Sequence, residues 1–441
     1  MNYAETLNKA CICRTLDSQR LYAQLESDPT LVGLAQSISQ TRPHLFSSTV
    51  VFISRATYDA IVAAVSAIER VAHLHLYQAK ALERAPAIAQ HPFGPAGVHM
   101  GYDFHVNADG PRLIEINTNA GGALLNSILA RAQHSCCELM GKTFTANTLE
   151  LAPLATLEQT FFEMFLTEWR TQRGEQTLRT VAIVDDDPQS QYLAPEFELF
   201  RNMFVSRGIH AFIADPQELA WRDGSLWHGD QAVDMVYNRL TDFYLSDTAH
   251  EALRHAYTAG ATVLTPHPRA HALLADKRNL VTLSNDPLLA TWGVSAADRN
   301  VLANAVPATQ LVTRENAEAL WAQRRHFFFK PMAGFGARAV YRGDKLTRRV
   351  WDEILAGDYI AQALVPPSTR MVMVDGVQTD LKFDIRAYTY AGQIQLLAAR
   401  TYQGQTTNFR TSGGGFSPVV VVPQIDDVAN FLSEMDVTRP L

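Results

Sequence analysis

Residues 101–122 read GYDFHVNADGPRLIEINTNAGG. Apolar and polar residues alternate on both sides of the Asp109-Gly110 pair, the pattern of two strands joined by a turn. Glu115 and Asn117 stand two apart and share a face. Asp103 lies on the partner strand, where a tight hairpin brings its carboxylate within reach of them. Two carboxylates and an amide oxygen are hard donors that suit Mg²⁺. A solvated hairpin edge, polar at every second position, would read the same way. Behind Gly121 and Gly122, residues 123–140 read as a helix.

Upstream, residues 56–90 carry apolar side chains at spacings of three and four, a helical hairpin or one long helix. Downstream, residues 156–178 are helical and lead to TVAIVDDD (180–187), a buried strand ending in acids. A helix near 194–207 and the strand GIHAFIAD (208–215) complete a β-α-β unit of the open kind. Glycines 224 and 229 mark a hairpin-like stretch. VDMVYNRL (233–240) then places Arg239 at a strand's carboxyl end, where such sheets bind ligands.

From about residue 300 antiparallel patterns dominate. FFFKPMAGFGARAV (327–340) ends a strand at Lys330 and follows it with Gly334 and Gly336, whose backbone can approach an anion. An ordinary glycine turn accounts for it equally well, and it lacks the Gly-Lys-Ser/Thr of a Walker loop. In LKFDIRAYTY (381–390), Lys382, Asp384 and Arg386 share a face. Arg400 ends the next strand. Thr406, Thr407, Asn408 and Arg410 follow on a loop whose SGGG (412–415) reads as flexible, suited to a mobile lid or simply a surface loop.

The 441 residues are 47% apolar and 19% charged with a formal net charge of -7, which argues against disorder and against a global basic field for nucleic acid. No run of apolar residues reaches membrane-spanning length and the first twenty residues lack a secretory pattern, so no membrane partner and a cytoplasmic location are expected. Four cysteines (Cys11, Cys13, Cys136, Cys137) suit no disulfide framework or zinc spacing. There is no Gly-x-Ser-x-Gly elbow and no dinucleotide fingerprint.

In this order the segments resemble the ATP-grasp superfamily, in the glutathione synthetase type with circularly permuted, eukaryotic-like order. The resemblance spans about residues 98–420 and rests on GYDFHVNADGPRLIEINTNAGG, VDMVYNRL, ADKRNL (275–280), FFFKPMAGFGARAV, YIAQALVP (359–366), and FDIRAY with AARTYQGQTTNFRTSGGG (398–415). It implies an α/β fold, α+β in its ATP part. A helical region (1–97) would precede a metal-binding segment (98–150), a Rossmann-like substrate domain (151–300) and the ATP-binding lid with the remainder of the grasp domain (301–441).

By the same resemblance Asp103, Glu115 and Asn117 would hold Mg²⁺, with Mn²⁺ as a substitute. Lys277 and Lys330 would contact the ATP phosphates under Gly334 and Gly336, and the backbone around Gln362–Leu364 would bind adenine. Arg386 and Arg400 would steady the transferring phosphoryl group, while Arg239, Asn408 and Arg410 would face the acceptor. Gln362-Ala363 departs from the family in offering no acid for the ribose. The implied activity joins a small-molecule or peptide carboxylate to an amine through an acyl phosphate, and a homo-oligomer is compatible with it. The alternatives are an ATP-grasp kinase and a nucleotide-binding regulator without turnover.

Overall fold

A computed structural model describes residues 2–92, 94–134, 156–332 and 339–422. Cys136, Cys137, the boundary near 150, Gly334 and Gly336 lie outside them. Strands Met100–Asn107 and Gly110–Asn117 form the expected hairpin, with Asp103 opposite Glu115 and Gly101 opposite Asn117. They close one edge of a seven-stranded sheet. Moving inward from them come Val377–Tyr390, Gln393–Tyr402, Gly415–Val422 and Val51–Ser54, with Ser368–Val374 also pairing to Val377–Tyr390. Val51–Ser54 runs parallel to Gly415–Val422, so the first ninety residues, expected to be helical, also supply a strand. Its buried apolar run of Val51, Phe52 and Ile53 is too short for periodicity to show.

Helix Arg55–Ala72 packs on one face of this sheet, burying Ile61, Val65, Ile68 and Val71 with Leu397 and Ala399. Ser54 caps it by accepting the Thr57 amide at 3.1 Å. The chain then turns by 76° into His75–Glu83. Helix Ala123–Arg131 covers the opposite face near Tyr388, Leu396 and Phe416.

The second unit is a parallel sheet in the order Val263–Thr265, Met235–Asn238, Thr180–Val184, His210–Ala214. Thr180–Val184 is buried throughout because both faces are covered. Val181 and Ile183 pack with Phe197 and Phe200 of helix Ala194–Val205. Ala182 and Val184 pack with Leu253 and Tyr257 of helix Glu251–Thr258.

A smaller antiparallel sheet, Thr309–Leu311, Tyr359–Ala363, Phe327–Pro331, Tyr341–Arg342, buries Phe329 against Trp351 and Ile354 of helix Arg348–Ala356.

Two junctions fix these units. Buried Glu168, on helix Leu157–Arg173, accepts the amides of Ala96 (2.8 Å) and Gly97 (3.0 Å) and the hydroxyls of Thr265 (2.6 Å) and Tyr390 (2.9 Å), tying linker, parallel sheet and large sheet together. Burial raises its carboxyl above the usual range, although these donors work the other way. The second junction corrects an expectation. Within 412–415 the glycines Gly413, Gly414 and Gly415 are close-packed rather than open, while Ser412 is exposed. A Cβ on Gly414 would lie 2.5 Å from the Thr401 carbonyl, and one on Gly415, at φ +119°, 2.6 Å from that of His44. Glycine here answers close approach of backbone.

Candidate active site

The large and small antiparallel sheets enclose a cavity of about 370 Å³, in the range of small-molecule sites. It is lined by Asp103, Glu115 and Asn117 from the hairpin, Arg386 and Arg400 from the neighbouring strands, Lys330 and Gln362 from the small sheet, and Lys277. These residues span 297 positions of sequence from Asp103 to Arg400.

Strand register produces the arrangement. Arg386 is opposite Asp103, and Arg400 is opposite Asp384. Arg386 donates Nε and Nη2 to Asp103 at 2.6 Å each. Arg400 bridges Asp103 (Nη2, 2.8 Å) and Asp384 (Nε, 2.8 Å). These bonds use Nε and Nη2 of both guanidiniums. Asp103 is 1% exposed. Burial would lift its carboxyl, but Arg386 and Arg400 overcome this and hold it well below the ordinary range. Burial likewise opposes the charge of Arg400, which Asp103 and Asp384 more than restore.

Lys330 is buried and donates Nζ to the Ile114 carbonyl at 2.8 Å. Burial lowers its ammonium to about 8, with Lys277 adding to the effect and Glu115 and Asp103 opposing it. Four cations therefore face three carboxylates in a partly enclosed space, a setting suited to a polyanion.

The donors of the hairpin decide whether it can hold a cation. Asp103 already accepts four hydrogen bonds, the fourth from Asn117 Nδ2 at 3.0 Å. With that Nδ2 turned to Asp103, the Asn117 Oδ1 stays available, as does the Glu115 carboxylate. Among the described residues no three His, Cys, Asp or Glu side chains converge as a metal site. The residues fit a cation that takes Glu115, Asn117 and oxygens of a bound ligand, as Mg²⁺ commonly does. Asp103, expected among the ligands, is committed to the two arginines.

No family profile and no curated protein sequence matches the chain. Among solved structures, a glutathione synthetase-like effector from Globodera pallida, in its apo form, aligns with a TM-score of 0.53 at 12% identity, over 92% of this chain and 98% of the effector. The chain shares the fold of this glutathione synthetase-like protein. A gamma-glutamylcysteine synthetase-like protein from Methylobacillus flagellatus KT aligns over 86% of this chain and 91% of its own, at 11% identity and a TM-score of 0.46.

Within this fold several expected residues stand elsewhere. The Ala363 amide is bonded to the Ala308 carbonyl and that of Leu364 to His326, each at 2.8 Å. Neither donor is open to a base in this arrangement, and Leu364 does not line the cavity. Asn408 folds its loop instead of facing a ligand: Nδ2 donates to the Gln403 carbonyl (2.8 Å) and Oδ1 accepts from Thr411 Oγ1 (3.0 Å). Arg410 is exposed on that loop, outside the lining.

Arg239, 7% exposed, also lies outside the lining. Its Nη1 reaches Tyr237 Oη at 3.2 Å, its buried Nε has no acceptor among the described residues, and Nη2 lies where a Cβ on Gly121 would stand 2.7 Å away. Beside it, Glu196 accepts the amides of Gly122 (2.6 Å) and Leu124 (3.0 Å) at the start of helix Ala123–Arg131. That helix end is already occupied by a carboxylate.

The lining also includes Asp384 and Thr407, which the sequence pattern singled out without assigning them a ligand, and His105 and Phe409, which it did not. His105 bonds through Nδ1 to the Val365 carbonyl at 2.7 Å, supporting the segment beyond Gln362. Thr407 donates its hydroxyl to Asp384 and fastens the loop to the arginine cluster. The alternation that placed Asp384 between Lys382 and Arg386 was the signal for it. Nothing local marked His105 or Phe409.

Proposed function

We propose that the chain is an ATP-dependent carboxylate–amine ligase. The observation that carries this is the convergence of Lys277, Lys330, Arg386 and Arg400 on one cavity that also presents Glu115 and Asn117. Lys277 and Lys330 bind the nucleotide phosphates. The guanidiniums of Arg386 and Arg400, fixed by Asp103 and Asp384, meet the oxygens of the phosphoryl group in transfer. Phosphoryl transfer depends chiefly on such positioning and charge neutralisation. Glu115 and Asn117 hold Mg²⁺, which when bound adds charge neutralisation at the phosphate oxygens. A carboxylate oxygen of the acceptor attacks the γ-phosphorus as its bond to ADP breaks, giving an acyl phosphate and ADP; the amine nitrogen then attacks the acyl carbon, phosphate leaves, and the nitrogen loses a proton to give the amide. The loop carrying Thr407 and Phe409 excludes water in the interval. No protein nucleophile is required.

The test is Mg-ATP-dependent ADP release across a matrix of acids and amines, with Glu115→Ala as the blank. Release that requires both an acid and an amine, with free phosphate, is the expected result. A phosphorylated acceptor without free phosphate would make the chain a kinase. ATP binding without release across the matrix would favour a regulator.

A further inference from the structure

Residues 42–47 lie outside the cavity, yet they reach both elements that bring aromatic rings to its edge. On one side Arg42 donates Nε to the Tyr192 carbonyl (2.5 Å) and Nη2 to that of Gln191 (2.9 Å), with its guanidinium 5.9 Å from the Tyr192 ring. That ring stacks on Phe409 at 5.2 Å and 25°, and Phe409 lines the cavity. On the other side, the Phe416 amide donates to the Leu45 carbonyl at 2.8 Å and the Ser47 amide to that of Phe416 at 2.8 Å. Ser47 Oγ reaches the Gly413 carbonyl at 3.2 Å. Phe416 in turn meets Phe409 edge-on at 4.8 Å. One short segment thus grips the base of the 403–414 loop and the loop whose tyrosine covers its phenylalanine.

We infer that Arg42 is a positioning residue for the 403–414 loop: by holding the carbonyls of Gln191 and Tyr192 it keeps the Tyr192 ring against Phe409 and seats the loop over the cavity. The Phe409 ring is flanked by those of Tyr192 and Phe416. Thr407 fixes the loop to Asp384 from the cavity side, and the Tyr192–Phe409 stack fixes it from outside. Two charge-assisted hydrogen bonds to backbone carbonyls suit this task because they orient a segment whatever its side chains do. The region before residue 50 thereby acquires a role in the site. Only the catalytic arm of the test rests on the ligase reading.

Hydrogen exchange on the full chain tests it, comparing wild type with Arg42→Ala, Arg42→Lys and Tyr192→Ala. The Gln403 and Arg410 amides, bonded within the loop to Thr411 Oγ1 and Asn408 Oδ1, are suitable reporters. Arg42→Ala should speed exchange over 403–412 by about tenfold, the loss of roughly one net charge-assisted bond. Peptides from Val377–Tyr390 should keep the wild-type rate. Arg42→Lys, which keeps a charged donor but not the planar fork that spans both carbonyls, should fall between, and Tyr192→Ala should match Arg42→Ala. In turnover assays Arg42→Ala should raise the acceptor KM more than it lowers kcat and release ADP without product. Wild-type exchange over 403–412, or acceleration spread evenly through the chain, would overturn the inference. Faster loop exchange in Arg42→Ala, alongside a wild-type chain that makes no amide, would overturn the ligase reading and leave the positioning role standing.

Discussion

Arg386 and Asp103 form a two-pronged ion pair, Nε and Nη2 on the two carboxylate oxygens at 2.6 Å each, buried between adjacent strands. Arg400 leans on the same carboxylate at 2.8 Å. Removing the acid leaves two buried cations facing each other. Breaking a buried pair from one side costs about 3–5 kcal/mol, and Asp103→Asn should show that loss in urea unfolding. A loss near zero would mean that water reaches the arginines. The pair also sets an acid sensitivity. The Asp103 carboxyl is depressed in the fold, so its stabilisation is present above the unfolded value near about 3.9 and fades as pH falls through the folded one. Asp103→Asn should lose that part of the acid-unfolding profile.

Glu115 should behave in the opposite way. It faces the cavity, and its nearest amide contact is Asn117 Nδ2 at a long 3.5 Å. Glu115→Gln should therefore leave the unfolding midpoint within the scatter of a surface change, about 0.5 kcal/mol. It should cut Mg²⁺-dependent ADP release by about 10²-fold or more, the scale of losing one charge-stabilising group. Asn117→Ala should follow it in the same direction. Undiminished turnover in Glu115→Gln would remove the hairpin from the cation site.

The glycine run offers a test that needs no substrate. Gly415→Ala adds a methyl 2.6 Å from the His44 carbonyl at a φ of +119°. Strain of roughly 1–3 kcal/mol for the backbone and a similar amount for overpacking is expected. Gly110→Ala, at φ +102° with nothing near its added carbon, should cost only the backbone part. Equal, small losses in both would restore an open loop at 412–415.

The contrast between these glycines shows what was legible. The hairpin, the parallel strands and the pairing of Asp103 with Glu115 could be read because alternation and turn chemistry are local. Alternation put Arg386 on one face with Asp384, but the site role of Arg386 and Arg400 came from the family resemblance of their segments. Close packing is a different matter. Gly415 meets His44 across 371 positions of chain, and no local pattern distinguishes a glycine that must be close-packed from one that is merely free. The strand Val51–Ser54 escaped for the same reason, since its partner Gly415–Val422 is almost the whole chain away. Asn408 and Leu364 were misplaced because a motif fixes residue types but not whether their polar groups are already spent at home.

Lys330 supplies a prediction in which one titration has two opposite readouts. Burial brings its ammonium to about 8 in the fold, against about 10.4 in an unfolded chain. Between those values the unfolded chain holds the extra proton, so stability without ligand should rise with pH from about 8 to about 10.4, by up to about 3 kcal/mol. Nucleotide affinity should move the other way, falling as pH rises through about 8, because the neutral amine no longer attracts phosphate. Lys330→Met should flatten both profiles, stabilise the chain at neutral pH, and weaken ATP binding by about tenfold to a hundredfold, the worth of one charge-assisted contact. Calorimetric ATP titrations and urea unfolding at matched pH would check the pair. Affinity that holds steady from pH 7 to 10 in the wild type would remove Lys330 from the phosphates, even if the stability profile behaved as described.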